Sequence, residues 1–193
     1  MSAIQIKTAK TTFPVLPLIA KRYSTVSFAD KSISQQDLNT ILEAATWAAS
    51  ANNEQPWLYY YGLKGTSGFD TILQTLARGN QPWAKNAAIL LVAVARNTFE
   101  KDQKPNATAL HDLGLANSNL FLQAVSLDIY PHPMGGFSKE EITKALQLPE
   151  NQQPVTVIAL GYLSESEPTD DALRSRENSP RQRKSIDTIS FAI

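Results

Sequence analysis

The sequence predicts helices packed on both faces of a central β-sheet. Three apolar runs predict strands, at residues 57–63, 87–95 and 154–162. Long apolar runs of this kind are typical of strands that helices cover on both faces. Helical patterns lie before, between and after these runs, and 193 residues are enough for one core of ordinary size. We therefore expect a single domain that spans residues 1–193.

Two helices are predicted before the first strand. FPVLPLIAKRY (residues 13–23) predicts a short helix that follows a lead-in marked by proline. Ser34 and Asp37 have the spacing of a capping box, which indicates that a second helix begins there. Apolar residues follow at helical spacing and give this helix one core face: Leu38, Ile41, Leu42 and Ala45.

The segment between the second and third predicted strands, residues 106–127, predicts a long helix. One apolar stripe runs along it, and Leu115, Leu122 and Val125 lie on another side. A helix that is apolar on most sides must be buried, either inside its own domain or against a second subunit. Both alternatives are open, and the second is attractive in a chain of this length.

The C-terminal part of the chain contains a predicted loop, a helix and a tail. HPMGGF (residues 132–137) predicts a Pro-Gly loop, and Ser138 with Glu141 predicts the capped start of an amphipathic helix. The last thirty residues lose helical periodicity and end on the apolar sequence ISFAI (residues 189–193). An apolar end after a polar stretch predicts a tail that docks on another surface.

The composition excludes several classes of function. The 18 basic and 18 acidic residues balance to zero, so no basic face is available for nucleic acid or for an anionic membrane. The absence of Cys excludes disulfides, thiolate nucleophiles and thiolate metal sites. The sequence has neither a signal-peptide core nor an apolar run near the roughly 20 residues of a membrane span. We expect a cytoplasmic protein that acts on a small molecule.

Common nucleotide and metal motifs are missing from the sequence. It contains no G-x-G-x-x-G after a strand, no P-loop Lys and no H-E-x-x-H. His111 and His132 are the only two imidazoles, and we expect each to be structural or to face solvent. We therefore predict no metal site.

Four polar segments remain as candidates for a binding site. KRYSTVSF (residues 21–28) and SPRQRKS (residues 179–185) offer Arg and hydroxyl groups that suit a phosphate monoester. SANNEQPW (residues 50–57) offers Ser and Asn, and the glycine pair at 135–136 lets backbone N–H groups approach a ligand closely. Singly, each segment is more typical of a turn or a solvated tail. Together they suit a planar polar ring with a phosphate.

In order and spacing these segments resemble the FMN-dependent nitroreductase family over nearly the whole chain. Arg22 and Ser24 match the family's R-x-S, which typically contacts the flavin phosphate or ribityl chain. AASANNEQPW is similar to a family segment that implies FMN contacts from the partner subunit at Ser50 and Asn53. RGNQPWAKNAAILL is similar to a further segment of the family, and this similarity implies that Asn80 forms a hydrogen bond with the polar edge of the isoalloxazine ring.

The resemblance extends to the glycine loop and to the C-terminal arginines. YPHPMGGF resembles the loop whose backbone N–H groups face the flavin, which implies cofactor contacts at four consecutive residues: Pro133, Met134, Gly135 and Gly136. Gly135 and Gly136 would lie near flavin N5. Arg181 and Arg183 are implied as a second phosphate clamp. Because FMN carries the chemistry in this family, no catalytic side chain is expected.

The resemblance also implies a fold and an activity. The implied fold is α+β, a nitroreductase-like sandwich with a central mixed or antiparallel β-sheet flanked by helices. A homodimer with exchanged C-terminal tails would hold FMN at its interface. The implied reaction passes a hydride from NADH or NADPH through flavin N5 to a nitroaromatic, quinone or enone, by a ping-pong mechanism.

Two alternatives stay open. A specialised or non-catalytic flavin-binding protein of the same fold would lack ordinary NAD(P)H reductase activity, because one fold supports different chemistries. An interaction protein with coincidental turn motifs would be colourless and would not take up FMN. The loop at residues 95–106 is either a cover over the site or a plain surface connection. Together with Phe137, it would help to determine which acceptor the site takes.

Overall fold

A four-stranded antiparallel sheet lies at the centre of the described part of the chain, and its neighbouring strands are, in sequence order, the first, second, fourth and third. The structure is a computed structural model, and it describes residues 3–193. Its strands are β1 (Trp57–Leu63), β2 (Ile89–Arg96), β3 (Ile129–Met134) and β4 (Gln152–Tyr162). The three predicted apolar runs are thus confirmed as β1, β2 and β4.

Strand β3 corrects the prediction of a loop that begins at His132. The prolines at 131 and 133 suggested a loop, because proline has no N–H for a sheet ladder. Among the described strands, β3 pairs only with β4 and forms one edge of the sheet, where proline is tolerated. The loop itself is therefore shorter than predicted and follows Met134.

Helices cover both faces of the sheet, and the α+β fold is confirmed. Within residues 3–193 they are α1 (Ala3–Lys7), α2 (Pro17–Lys21), α3 (Gln35–Thr46), α4 (Ser67–Thr75), α5 (Gln81–Ala84), α6 (Ala109–Ser126), α7 (Lys139–Ala145) and α8 (Asp171–Asn178), with 3-10 turns at Ala51–Asn53 and Ile186–Thr188. The side chains of Ser34 and Ser138 accept hydrogen bonds from backbone N–H groups three residues on, which confirms both predicted capped starts. No helix in this described range is long and apolar enough to span a membrane.

Alternate residues of β2 divide the core into two clusters. Leu91 and Ala93 pack with apolar side chains of α3 and α6 on one face of the sheet. Leu90 and Val92 pack with apolar side chains of α4, α5 and α7 on the other face. The interior strand β2 is therefore buried on both sides, as its unbroken apolar sequence predicted.

Helix α6 is buried along one side and exposed along the other. Leu113 and Leu120 are fully buried in the core between α3 and the sheet. Leu110 and Leu115 lie on the outer side and are 50% and 38% exposed. The core of its own domain thus covers only part of the apolar surface of α6.

Helix α8 lies within the last thirty residues, where the loss of helical periodicity had predicted only a tail. The side chain of Asp170 accepts a hydrogen bond from Leu173 N, and Arg174 forms an ion pair with Asp171 at 2.7 Å. A cap and a charge pair stabilise this short helix, and neither produces an apolar period. Beyond it, Ile189 and Phe191 are 67% and 77% exposed. Exchange of this tail in a dimer stays a prediction.

Candidate functional site

A groove of about 520 Å³ lies between the end of α2, the outer side of α6 and strand β3. Arg22 and Ser24, on the segment that follows α2, provide its polar wall. The remaining wall is apolar or small and comes from three elements: Ile19, Gly114, Ser118, Phe121, Leu122 and Pro133. The structure therefore brings Arg22, Ser24 and Pro133 together, three residues that the sequence singled out.

Arg22, which lines the groove, lies near two further arginines, Arg181 and Arg183. Burial, and then the positive charges of Arg181 and Arg183, lower the pKa of Arg22. Burial and the charge of Arg183 likewise lower the pKa of Arg181, whose Nη1 donates to the carbonyl oxygens of Ala20 and Lys7 at 2.8 and 3.2 Å. Within residues 3–193, none of the three arginines forms an ion pair with a carboxylate. The cluster is an uncompensated positive charge that would attract an anion.

The glycine loop packs against the turn that carries Asn80. The carbonyl oxygen of Gly136 accepts hydrogen bonds from Ala77 N at 2.9 Å and from Asn80 Nδ2 at 3.2 Å. A Cβ atom on Gly136 would lie only 3.1 Å from Asn80 Nδ2, whereas a Cβ atom on Gly135 would meet nothing within 4 Å. The structure thus places Asn80 beside the loop, and the open side of that loop is at Gly135.

Pro133 and Met134 both belong to β3, but their side chains differ in burial. Pro133 is half-buried and lines the groove. The Met134 side chain is buried in the core, and its carbonyl oxygen accepts a hydrogen bond from Thr156 Oγ1 at 3.0 Å. The Met134 side chain therefore does not line the groove, and the cofactor contact implied for Met134 stays a prediction.

Ser50 and Asn53 do not line the groove within this chain. Ser50 Oγ accepts a hydrogen bond from Gln55 N at 3.0 Å, and Asn53 is exposed with a φ of 56°. Asn52 and Gln55 also have positive φ, so this short segment turns sharply before β1. The contact of Ser50 and Asn53 with a ligand of the partner subunit stays a prediction.

Asp112 is a buried carboxylate that the sequence analysis missed. It accepts hydrogen bonds from Ala51 N and Thr108 Oγ1, both at 3.0 Å, and lies 3.0 Å from His111 Nδ1. Burial raises the pKa of Asp112, but these hydrogen bonds outweigh it and hold the pKa below its ordinary value. Asp112 ties the Ser50 segment to α6. The sequence signal that could have identified Asp112 was its helical spacing from Ala116, which places both residues on the buried side of α6.

The fold and the site define a small-molecule-binding protein of the α+β class, with a groove suited to a phosphorylated ligand. The sequence pattern of the nitroreductase family matches residues 19–62 and 63–162. A provisionally named NADH dehydrogenase/NAD(P)H nitroreductase of Archaeoglobus fulgidus is 31% identical over 151 residues, which are 76% of this chain and 84% of the relative. The chain therefore belongs to the nitroreductase family, and it is an oxidoreductase.

Solved structures agree with this assignment. A crystal structure described as an oxidoreductase containing FMN has a TM-score of 0.89 and 34% sequence identity to this chain. The match covers 94% of this chain and 93% of the other chain. A nitroreductase family protein of Clostridium difficile 630 has a TM-score of 0.68 and 21% identity, over 90% of this chain and 95% of its own. At that identity the second similarity shows the shared fold alone.

Proposed function

We propose that the protein binds FMN in the groove between α2, α6 and β3 and oxidises NADH or NADPH with it. The observation that carries this proposal is the cluster of Arg22, Arg181 and Arg183 beside the groove, without a carboxylate partner in residues 3–193. A phosphate monoester would offset the repulsion among these arginines. Each charge-assisted hydrogen bond would contribute about 1.5 to 3 kcal/mol.

The lining of the groove fits the remaining parts of FMN. Ser24 offers a hydroxyl group for the ribityl chain or the phosphate. Phe121 and Leu122 offer apolar surface for a planar ring. Gly135 leaves open space where the backbone of the loop would approach a ring atom. The crystal structure described as containing FMN, at 34% identity, supports the same cofactor.

The residues of this chain would bind and orient, and none is needed as a nucleophile. FMN, when bound, supplies the hydride chemistry between a reduced nicotinamide and an electron-poor acceptor. The arginines would neutralise the phosphate, and the backbone N–H groups around Gly135 and Gly136 would favour negative charge on the ring edge that they face. We propose nitroaromatics, quinones and enones as acceptors and expect ping-pong kinetics.

We also propose that the enzyme is a homodimer with FMN at its interface. The outward apolar side chains of α6 and of the C-terminal tail support a second copy as their cover. In such a dimer, Ser50 and Asn53 of one protomer would contact FMN held by the other. The molar mass from light scattering tests this, and a monomer that retains FMN would contradict it. The cytoplasmic location expected from the sequence stays a prediction.

An absorbance spectrum is the direct test of the proposed activity. The purified protein would be mixed with FMN, desalted and then treated with NADH or NADPH without oxygen. We expect a bound yellow chromophore that bleaches with at least one donor. Protein that retains no flavin would contradict the proposal, and a bound flavin that neither donor bleaches would indicate a specialised flavin-binding protein instead.

A further inference from the structure

One buried imidazole contacts the segment that follows α2, which lines the groove, and also contacts helices α5 and α8. His132 lies in β3 and is 4% exposed. Its Nδ1 lies 2.6 Å from the carbonyl oxygen of Thr25, in the segment that follows α2. Its ring stacks on Trp83 of α5, with the ring centroids 4.3 Å apart. Its Nε2 lies 3.2 Å from Nη2 of Arg176, in α8.

The two hydrogen bonds of His132 require the same neutral tautomer. The guanidinium of Arg176 can only donate, so Nε2 of His132 must accept and carries no proton. The carbonyl oxygen of Thr25 can only accept, so Nδ1 must carry the proton. Burial and the positive charges of Arg176 and Arg22 lower the pKa of His132 to about 4, against the opposing effect of the Thr25 carbonyl. The ring is thus neutral at pH 7, with a defined orientation.

The other side of the same segment is held by Glu177 of α8. This carboxylate is buried, and it accepts hydrogen bonds from Thr25 Oγ1 at 2.9 Å and from Val26 N at 3.0 Å. Thr25 is therefore held at its carbonyl group by β3 and at its hydroxyl group by α8. Ser24, which lines the groove, is the residue next to Thr25 and is therefore tethered through it.

We propose that His132 is a positioning residue of the flavin site, and that its hydrogen bond to Thr25 holds Arg22 and Ser24 in the groove. Arg176 selects the tautomer that makes this bond, and Trp83 sets the plane of the ring. The inference rests on the proposed function, because the groove is the proposed FMN site. It assigns a role to an imidazole that the sequence analysis expected to be structural or solvent-facing.

Three substitutions separate the contacts of His132. His132→Asn keeps an N–H donor near the position of Nδ1, and His132→Gln keeps a polar group near Nε2 only. His132→Phe keeps an aromatic ring against Trp83 and removes both hydrogen bonds. Ile41→Val, in the core cluster on the other face of the sheet, is the control for lost stability alone.

The measurement is FMN affinity from the quenching of flavin fluorescence, together with the Tm of the flavin-free protein. We expect His132→Asn to bind FMN within about threefold of the wild type. The Gln and Phe variants should bind at least about tenfold more weakly, because the Thr25 carbonyl loses its donor. Unchanged affinity in all three variants would overturn the inference. So would a loss in all three, or a loss that merely follows the fall in Tm, as for the control.

The tautomer can be measured without any flavin. ¹⁵N NMR of the histidine-labelled wild type at pH 7 should show a protonated Nδ1 and an unprotonated Nε2 for His132. The opposite tautomer or a charged ring would overturn the inference. Wild-type protein that takes up no FMN would contradict the proposed function and this role with it, whereas equal FMN binding by all variants would contradict only the role of His132.

Discussion

At the scale of single residues, the arginine cluster leads to a prediction about retention of the cofactor. Arg22→Ala should weaken FMN binding roughly 10- to 100-fold, the equivalent of one lost charge-assisted hydrogen bond. The flavin-free protein should not lose stability, because Arg22 lies near the like charges of Arg181 and Arg183. Isothermal titration calorimetry and thermal unfolding measure the two effects.

Arg174→Ala is the matched control for this prediction. It removes the same charge from α8, where Arg174 pairs with Asp171 and is outside the arginine cluster. It should leave FMN affinity within about twofold, since exposed ion pairs contribute little. Equal losses of affinity in both variants would show that total charge matters rather than the cluster.

The two loop glycines should respond differently to alanine. Gly136→Ala should lower the Tm of the flavin-free protein, because the added Cβ would lie 3.1 Å from Asn80 Nδ2 and 3.3 Å from Ala77 Cβ. Gly135→Ala should leave the Tm nearly unchanged, since its Cβ would meet no atom within 4 Å. If Gly135 faces FMN, this variant should instead weaken flavin binding or slow flavin reduction. A Tm that falls equally in both variants would contradict the packing described for the loop.

His132 should make the stability of the protein depend on pH in the acidic range. Its pKa falls from an ordinary value of 6.5 to about 4, so the unfolded chain binds more protons between these values. Stability is fully present above pH 6.5 and should decrease as the pH falls towards 4, by up to about 3 kcal/mol. Urea unfolding at several pH values measures this, and His132→Asn should reduce the pH dependence. An identical dependence in that variant would argue against His132 as the source.

At the scale of elements, the sequence predicted the apolar strands β1, β2 and β4 better than the edge strand β3 and the polar helix α8. β1 was predicted with the bounds that it has, since its aromatic run has no helical period. β3 was missed because Pro131 and Pro133 are compatible with a strand only at an edge, and edge position is set by tertiary pairing. α8 was missed because its stability comes from Asp170 and ion pairs rather than from an apolar stripe.

Helix α8 should act as an anchor for the segment after α2. Glu177→Gln removes the charge and leaves one oxygen where two accepted, from Thr25 Oγ1 and from Val26 N, and it should destabilise the fold by about 1 to 3 kcal/mol. Hydrogen exchange at the Val26 amide should become faster than in the wild type. Glu140→Gln, at an exposed position of α7, is the control and should leave both quantities unchanged. Unaltered exchange at Val26 in Glu177→Gln would exclude the anchoring role.

At the scale of the whole molecule, the candidate site could be predicted in its parts but not in its connections. The R-x-S and glycine-loop segments carry local signals of composition and turns, whereas Asn80 was implied only by the resemblance to the nitroreductase family. The contacts that join them have no local signal: His132 and Thr25 are 107 residues apart, and Glu177 and Val26 are 151 residues apart. A buried polar residue acquires its hydrogen-bond partner only through the tertiary fold, so the sequence of one segment does not indicate which residue that partner is.

The proposed dimer leads to a prediction for the outer side of α6. Leu115→Glu should favour the monomer and weaken FMN binding together, because a charge would be buried at the interface. The isolated fold should tolerate it, since Leu115 is 38% exposed there. Sedimentation velocity and FMN titration measure the two effects, with Lys104→Glu, on an exposed loop, as the control. A dimer of normal FMN affinity in Leu115→Glu would place the interface elsewhere.

The contacts between the two ends of the chain tie the arginine cluster to both termini. Lys7 Nζ donates to the carbonyl of Arg176, and Arg181 reaches back to the carbonyls of Lys7 and Ala20. The proposed phosphate site therefore depends on both ends of the chain, although they are far apart in sequence. A chain that ended before α8 begins at Asp171 would keep the four described strands but would lack Arg181 and Arg183, so loss of either end of the chain would disturb the same site.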